Sequence, residues 1–307
     1  MSPSATRAHL ALVGPTASGK STLAVEIARR CPDVELVSVD SMQVYRGMDI
    51  GTAKPTPAER AQVPVHLLDL ADPSDEYSVA EFQAAAVATL AAIEDRGHRA
   101  LLVGGTGLYL RAVVDGLRLP AQWPEVKADL EQEPDTAVLY RRLEEADPAA
   151  AARMEPTNRR RVVRALEVVV GSGRPFSSFG PGLDVHPPSR FRLAGVWLPR
   201  PIVSGRITAR LQAMVDGGLV EEVRALVARP GGLSRTAAQA LGYREMLRHL
   251  AGECTLDEAV AEAVRRTRAF ARRQRMWFRR DPRVTWYGTA ENPVAVLPAL
   301  LGDWGNP

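Results

Sequence analysis

Residues Gly14-Pro15-Thr16-Ala17-Ser18-Gly19-Lys20-Ser21 have the types and spacing to hold a di- or triphosphate. They match G-x-x-x-x-G-K-[ST] and lie between an apolar run, His9 to Val13, and a helical pattern, Ser21 to Arg30. In that setting the loop amides and the helix N-terminus present aligned donors and positive partial charge to phosphate oxygens. Lys20 is placed to reach the terminal phosphates, and the Ser21 hydroxyl to ligand Mg²⁺. The loop does not say whether the phosphate is transferred or departs.

Asp40 ends the apolar stretch VELVSV and bears on that question. It suits three parts: orienting Mg²⁺ in an ATPase, taking the proton of an attacking hydroxyl in a kinase, or taking a proton from another nucleophile such as an amine. It also suits a turn cap. Its position favours chemistry, because open α/β sheets bind ligands beyond the carboxyl ends of their strands. A second glycine loop, Gly104-Gly105-Thr106-Gly107, follows the strand ALLV. Glycine allows close backbone approach there and Thr106 offers a hydroxyl, although a tight strand-to-helix turn reads equally well. No acidic residue closes that strand, which argues against a motor ATPase.

Two elements are strongly basic. Asn158-Arg159-Arg160-Arg161 opens a helix that carries Arg164 one turn on. The last long helix sets Arg265, Arg268, Arg272, Arg275 and Arg279 in one stripe, with Arg266, Arg273 and Arg280 beside it. Val260, Val264, Thr267, Phe270, Ala271, Gln274, Trp277 and Phe278 cover the other side. Like charges on one face repel. No pairing is evident for them, so a polyanion partner, a nucleic acid backbone, is expected. Arg244 in Gly242-Tyr243-Arg244 sits on a turn from which it could stabilise charge developing on a phosphate.

The elements that must position these groups alternate. Strands at His9–Val13, Val34–Val39, Val65–Leu68 and Ala100–Val103 are separated by helical patterns, one opened by the Ser78/Glu81 capping box and ended by Gly97. Alternation predicts a parallel sheet covered by helices. Asp40 to Pro64 reads as a polar loop. From Leu119 to about Pro188 only helices are evident, at Glu125–Glu131, Thr136–Ala146 and Asn158–Val170. A strand then returns at Phe191–Leu198, helices run to about Arg280, and a short strand follows at Val284–Tyr287. The expected class is α/β, a P-loop NTPase-like parallel sheet with an inserted all-helical domain: core residues 1–118 and 190–307, insertion 119–189.

Composition bounds the rest. The 307 residues are 46% hydrophobic and 24% charged, ordinary for a globular protein. Lys+Arg number 39 against 36 Asp+Glu, yet only Lys20, Lys54 and Lys127 are lysines. Genome composition accounts for much of that bias, and guanidinium forks also match phosphate geometry. Cys31 and Cys254 have no partners at metal-ligand spacing, so neither a disulfide scaffold nor a structural zinc is expected. No stretch approaches the roughly 20 apolar residues of a membrane span. A cytoplasmic protein is expected, and nothing demands an oligomer, so a monomer.

GPTASGKS, VDSMQVYRGMDIGTAKP, VPVHLLDL, GGTGLYLRA, RRRVVRALEV, ALGYREM and TRAFARRQRMWFRR occur in this order from Gly14 to about Arg280. Together they resemble the tRNA dimethylallyltransferase (tRNA isopentenyltransferase) family. The resemblance implies transfer of a dimethylallyl group from dimethylallyl diphosphate to N6 of adenosine 37, beside the anticodon, in tRNAs reading codons that begin with U, without ATP. It implies that Asp40 is the general base and that Ser41, Met42 and Gln43 help hold the flipped base. Thr16 to Ser21 would cradle the diphosphate with Mg²⁺, Thr106 would lie at the reaction site, and Arg244 would stabilise the leaving diphosphate. Lys127, Arg160, Arg161, Arg164, Gln239 to Arg244, and Arg272, Arg273, Gln274, Arg275, Trp277 and Arg279 match segments that contact the anticodon stem-loop.

There are departures. Val65-His66 stands where two histidines are usual, Glu155 replaces an aspartate, and Met276 replaces a threonine within the arginine arc. No Cys and His pair follows the core, as in bacterial members. Two other enzymes remain in play: an adenylate isopentenyltransferase acting on free nucleotides, which needs neither insertion nor arginine face, and an ATP-dependent P-loop kinase, which leaves the arginine helix unexplained. A non-catalytic RNA-binding module would explain that helix but not the loop facing Asp40.

Overall fold

A computed structural model of the chain describes residues 8–305. Strand β1, His9–Val13, is buried throughout and feeds the glycine-lysine loop, from which helix α1 rises over Lys20–Arg30. Strand β2 follows at Val34–Val39. The expected Asp40 to Pro64 loop carries a helix, α2, at Pro57–Gln62. Thr56 accepts the Glu59 amide and Glu59 the Thr56 amide, a reciprocal cap that stabilises so short a helix. Strand β3 is Val65–His66, shorter than expected, because Leu67 turns to φ 64 and ends the extended run. Helix α3, Val79–Asp95, starts on the Ser78/Glu81 capping box and stops before Gly97 at φ 73. Strand β4, Arg99–Gly104, and helix α4, Gly107–Val114, complete this part.

Gly116–Pro187 forms a separate compact unit. Its helices are α5 at Pro124–Glu131, α6 at Thr136–Ala146, α7 at Pro148–Ala151 and α8 at Arg159–Ser172. They enclose a core of Leu130, Leu139, Leu143, Val162, Val163 and Leu166. Buried Asp147 ties this unit together, accepting the amides of Ala150 and Ser177 and the Ser177 hydroxyl. The unit ends before the expected 189. Ser189 already serves the returning strand, its hydroxyl accepting the Phe191 amide and donating to the Val114 carbonyl.

Strand β5, Phe191–Trp197, re-enters the sheet, followed by α9 at Arg200–Asp216, α10 at Leu219–Val227, α11 at Arg235–Ala238 and α12 at Tyr243–Leu250. The arginine-rich helix α13 spans Leu256–Arg279, opened by the Thr255/Glu258 capping box. Strand β6, Val284–Gly288, and helix α14, Leu297–Asp303, close the chain's described part.

Among the described residues six strands, all parallel, form one sheet in the order β3-β2-β4-β1-β5-β6. Alternate residues of each strand point to opposite faces. Ala11, Val13, Val37, Val39 and Leu102 pack beneath α3, α4, α10 and α12. Leu10, Leu12, Leu36, Leu101 and Val196 pack against α1, α9 and α14. Both faces are covered, as an all-parallel sheet requires, and this leaves the carboxyl ends of the strands as the open edge.

Candidate active site

Register brings the two glycine loops and Asp40 to one level. Val13 and Val39 both pair with Gly104, on either side of β4, so Gly14, Gly105 and Asp40 leave the sheet side by side. Gly104 must be glycine there, since a Cβ would run into the Val39 carbonyl.

The glycine-lysine loop needs its backbone shape. Gly14 has φ 145 and Gly19 φ 84, and a Cβ on Gly14 would lie 2.9 Å from the Val196 carbonyl oxygen. Ala17, at φ 61, holds a left-handed conformation that alanine adopts at some strain. The hydroxyl of Ser18 is buried with no partner among the described residues. Lys20 is 9% exposed and donates to the Pro15 carbonyl at 2.7 Å. Burial pulls its pKa down to about 7; Arg210 lowers it further and Asp40 opposes.

Asp40 accepts the Met42 amide at 2.9 Å, so it caps the turn, and its charge is felt at Lys20. Burial raises its carboxyl pKa, against the Met42 and Gln43 amides and the Lys20 charge, which lower it. Thr106 joins the same group: its hydroxyl oxygen accepts the Ser41 amide at 3.4 Å. Gln43 is engaged within the protein. Its amide accepts from the Ser38 hydroxyl and donates to the carbonyls of Thr52 and Ala53, holding the following loop to β2. Met42 is partly buried against the core.

That loop is fastened from two further sides. Lys54 is fully enclosed and donates to the Tyr45 carbonyl, Asp49 and Asp69 at 2.6–2.7 Å. Glu222 on α10 accepts the amides of Asp49, Ile50 and Gly51, and the Tyr243 hydroxyl at 2.6 Å. Tyr243 is therefore a buried support and not a surface contact; a Cβ on Gly51 would strike its ring. Gly242 is likewise buried, opening α12 at φ 89 and donating its amide to Glu245.

Arg244 is exposed on α12 and donates to exposed Gln239 at 3.3 Å. The arginine whose charge acts on Lys20 is Arg210 on α9, with Arg206 one turn before it. The guanidinium of Arg206 approaches Gly19, 3.4 Å from where its Cβ would stand. Arg210 also lines a cavity of about 520 Å³ with Ile50, Lys54 and Met214. The sequence held a signal for both: Arg206, Arg210 and Met214 recur every four residues, one face of a helix.

Helix α13 is only partly the unpaired stripe that its sequence suggested. Arg265 pairs with Glu262 one turn earlier, Arg266 with buried Glu245, and Arg268 donates to the Thr208 hydroxyl. Arg275 lies over the Trp197 ring at 5.5 Å with Arg200 and Arg279 nearby. Arg272, Arg279 and Arg280 are exposed and make no side-chain hydrogen bond or ion pair with the described residues. Arg273 is exposed over the Phe270 ring. Met276 among them is 60% exposed. Gln274 and Trp277 turn the other way: Gln274 is buried between the two glycine loops, and the Trp277 indole fills the space that a Cβ on Gly107 would need.

Within the helical unit, Arg160 and Arg161 are exposed. Arg164 is held internally by Glu167 and the carbonyls of Pro120 and Ala121, which removes it from the free set. Lys127 stands 3.9 Å from Glu131, both half-exposed.

Comparison with known proteins agrees in one direction. The IPP transferase family model matches residues 43–281, and an isopentenyl transferase model matches residues 7–71. A tRNA dimethylallyltransferase of Streptomyces avermitilis is 50% identical over 295 residues, covering 95% of this chain and 93% of its own. One from a Roseiflexus species is 49% identical, covering 90% and 91%. The crystal structure of the full-length tRNA isopentenylpyrophosphate transferase of Bacillus halodurans is 37% identical, with a TM-score of 0.71 and 97% of each chain covered. The chain belongs to the IPP transferase family, that of the tRNA dimethylallyltransferases.

Proposed function

We propose that this protein transfers a dimethylallyl group from dimethylallyl diphosphate to the exocyclic N6 of adenosine 37 in tRNAs that read codons beginning with U. The observation that carries the reading, beside the family, is the strand register that brings the loop holding buried Lys20 and the Asp40 carboxylate to the same level at the open edge of the sheet. One is fit to hold a diphosphate and the other to take a proton.

In the reaction the C1–O bond of the allylic diphosphate breaks and a C1–N6 bond forms. The diphosphate leaves with the electron pair, and the N6 proton passes to the Asp40 carboxylate. Burial makes Asp40 a stronger base than an exposed carboxylate, which suits a weakly nucleophilic amine. Lys20, Arg210 and the loop amides stand where negative charge grows on the departing group. We assign that part to Arg210 as well as to Arg244, which the family resemblance places there. Thr106, tied to the Ser41 amide, puts its hydroxyl beside the base.

Mg²⁺ fits the loop: Ser21 offers an exposed hydroxyl at the start of α1, an oxygen donor of the hard type this ion takes together with phosphate oxygens. Bound with the diphosphate, it would neutralise charge on those oxygens. The adenine must leave its stack to reach a site enclosed by loops. Arg272, Arg273 and Arg279 on α13 and Arg280 at its C-cap, with Arg160 and Arg161 on α8, are free to meet the RNA backbone. No helix among the described residues is long and apolar enough to cross a membrane, and Cys31 and Cys254 are not joined in a disulfide; we place the reaction in the cytoplasm, where tRNA is.

Asp40→Asn tests the assignment. Transfer to unmodified tRNA should fall about 10²–10⁴-fold, the range for loss of a general base, while inorganic pyrophosphate still binds. Turnover at the wild-type rate would remove Asp40 from the base role.

A further inference from the structure

Gln274 is 7% exposed, and both ends of its amide are used. Its Oε1 accepts the Thr16 amide at 2.8 Å and its Nε2 donates to the Gly105 carbonyl at 2.9 Å. One partner can only donate and the other only accept, so the amide has a single orientation. The two partners lie in different loops, one after β1 and one after β4, next to Pro15 and to Thr106 respectively. Gly105 has no space for a Cβ because this amide occupies it. The side chain comes from α13, between the exposed Arg272 and Arg273 and the stacked Arg275.

Two consequences follow. The Thr16 amide is engaged by Gln274 and the Ser18 amide by the Pro15 carbonyl, so the remaining loop amides are left to meet phosphate oxygens. And α13 cannot shift against either loop without leaving a buried N–H or C=O unpaired. Glutamate keeps the acceptor but lacks the donor; methionine fills similar space with neither.

We propose that Gln274 is a positioning residue that couples α13 to both substrate loops, so that RNA on the helix and diphosphate in the loop strengthen each other's binding. This rests on the reading above that the α13 arginines take tRNA. By linkage the effect is reciprocal.

The test uses the full chain, wild type, Gln274→Met and Gln274→Glu. The dissociation constant of inorganic pyrophosphate is measured with and without saturating unmodified tRNA, beside kcat, tRNA affinity and Tm. Wild type should bind pyrophosphate about fivefold or more tighter when tRNA is present, the lower end of usual couplings. In Gln274→Met that ratio should fall to about one and kcat by on the order of 10²-fold, as small misplacements do, with tRNA affinity held within about twofold. Gln274→Glu should lie between, because it keeps the Thr16 bond. A ratio of one in wild type, or an unchanged ratio in Gln274→Met, overturns the proposal. So does tRNA affinity that falls in step with kcat, which would make Gln274 an RNA contact. Absence of any transfer by wild type removes the function proposed above instead, since the binding ratio is still read.

Discussion

Tyr243 donates its hydroxyl to Glu222 at 2.6 Å, and that carboxylate in turn accepts three consecutive amides from Asp49 to Gly51. A tyrosine from the GYR motif therefore acts one step behind the site, by fixing the carboxylate that fixes the loop. Tyr243→Phe should lower stability by about 1–2 kcal/mol, the loss of one hydrogen bond to a charged group. Glu222→Ala, which strands three amides, should lower it by more. Thermal unfolding reads both; Tyr243→Phe at wild-type stability would show that the hydroxyl supports nothing.

Lys54 ends in three acceptors with its side chain fully enclosed. Lys54→Met should destabilise by about 3 kcal/mol, since it leaves Asp49 without its cation and Asp69 with Arg60 alone. Lys54→Arg should also destabilise, because a planar fork cannot take the place of a compact ammonium. Denaturant unfolding measures the loss, and a neutral Lys54→Arg would contradict this packing.

Lys20 titrates at about 7 because burial disfavours its charge. A bound diphosphate favours the ammonium and raises that pKa. Below pH 7 the group is already charged, so it contributes no pH dependence. Above pH 7 binding must take up a proton, and affinity falls by up to about tenfold per unit until the bound-state pKa is reached. Lys20→Arg stays charged. Titration calorimetry with inorganic pyrophosphate between pH 7 and 9 should give a steeper fall and larger proton uptake in wild type than in Lys20→Arg; equal slopes would refute the assignment.

The arginines of α13 separate by partner. Arg272→Ala and Arg279→Ala should each weaken tRNA binding and reduce the slope of log affinity against log salt by about 0.7–0.9. Arg266→Ala should leave that slope unchanged and instead destabilise the fold by about 3 kcal/mol, because buried Glu245 loses its cation. Binding measured across salt concentrations distinguishes them, and a full unit of slope lost in Arg266→Ala would contradict the pairing.

The sheet was legible because β1, β2 and β4 are largely apolar runs that end at Gly14, Asp40 and Gly104, and the helices because Ser78 and Thr255 carry their capping boxes. The shorter β3 was not legible, since nothing in Leu67 announces a positive φ. In the site, the Gly14–Ser21 loop and Asp40 are contiguous motifs and could be read. Arg210, Glu222 and Lys54 act only through contacts from distant segments, which periodicity does not reveal. Lysine scarcity was nonetheless a usable signal. Of three lysines in an arginine-rich chain, Lys20 and Lys54 are buried, each with its ammonium donating to a backbone carbonyl. The arginine stripe is in part internally paired: Glu262 lies one turn before Arg265, and Glu245, the partner of Arg266, comes from α12, which the periodicity of α13 does not reveal.

The most direct measurement of the central claim is transfer itself. Purified protein, labelled dimethylallyl diphosphate, Mg²⁺ and an unmodified tRNA transcript that reads a codon beginning with U are incubated without ATP, and the RNA is digested and mapped by mass spectrometry. The expected product is one N6-dimethylallyl group on adenosine 37, with one diphosphate released per group transferred. Label on free adenine nucleotides in place of tRNA, or no transfer together with ATP hydrolysis when ATP is supplied, would contradict it.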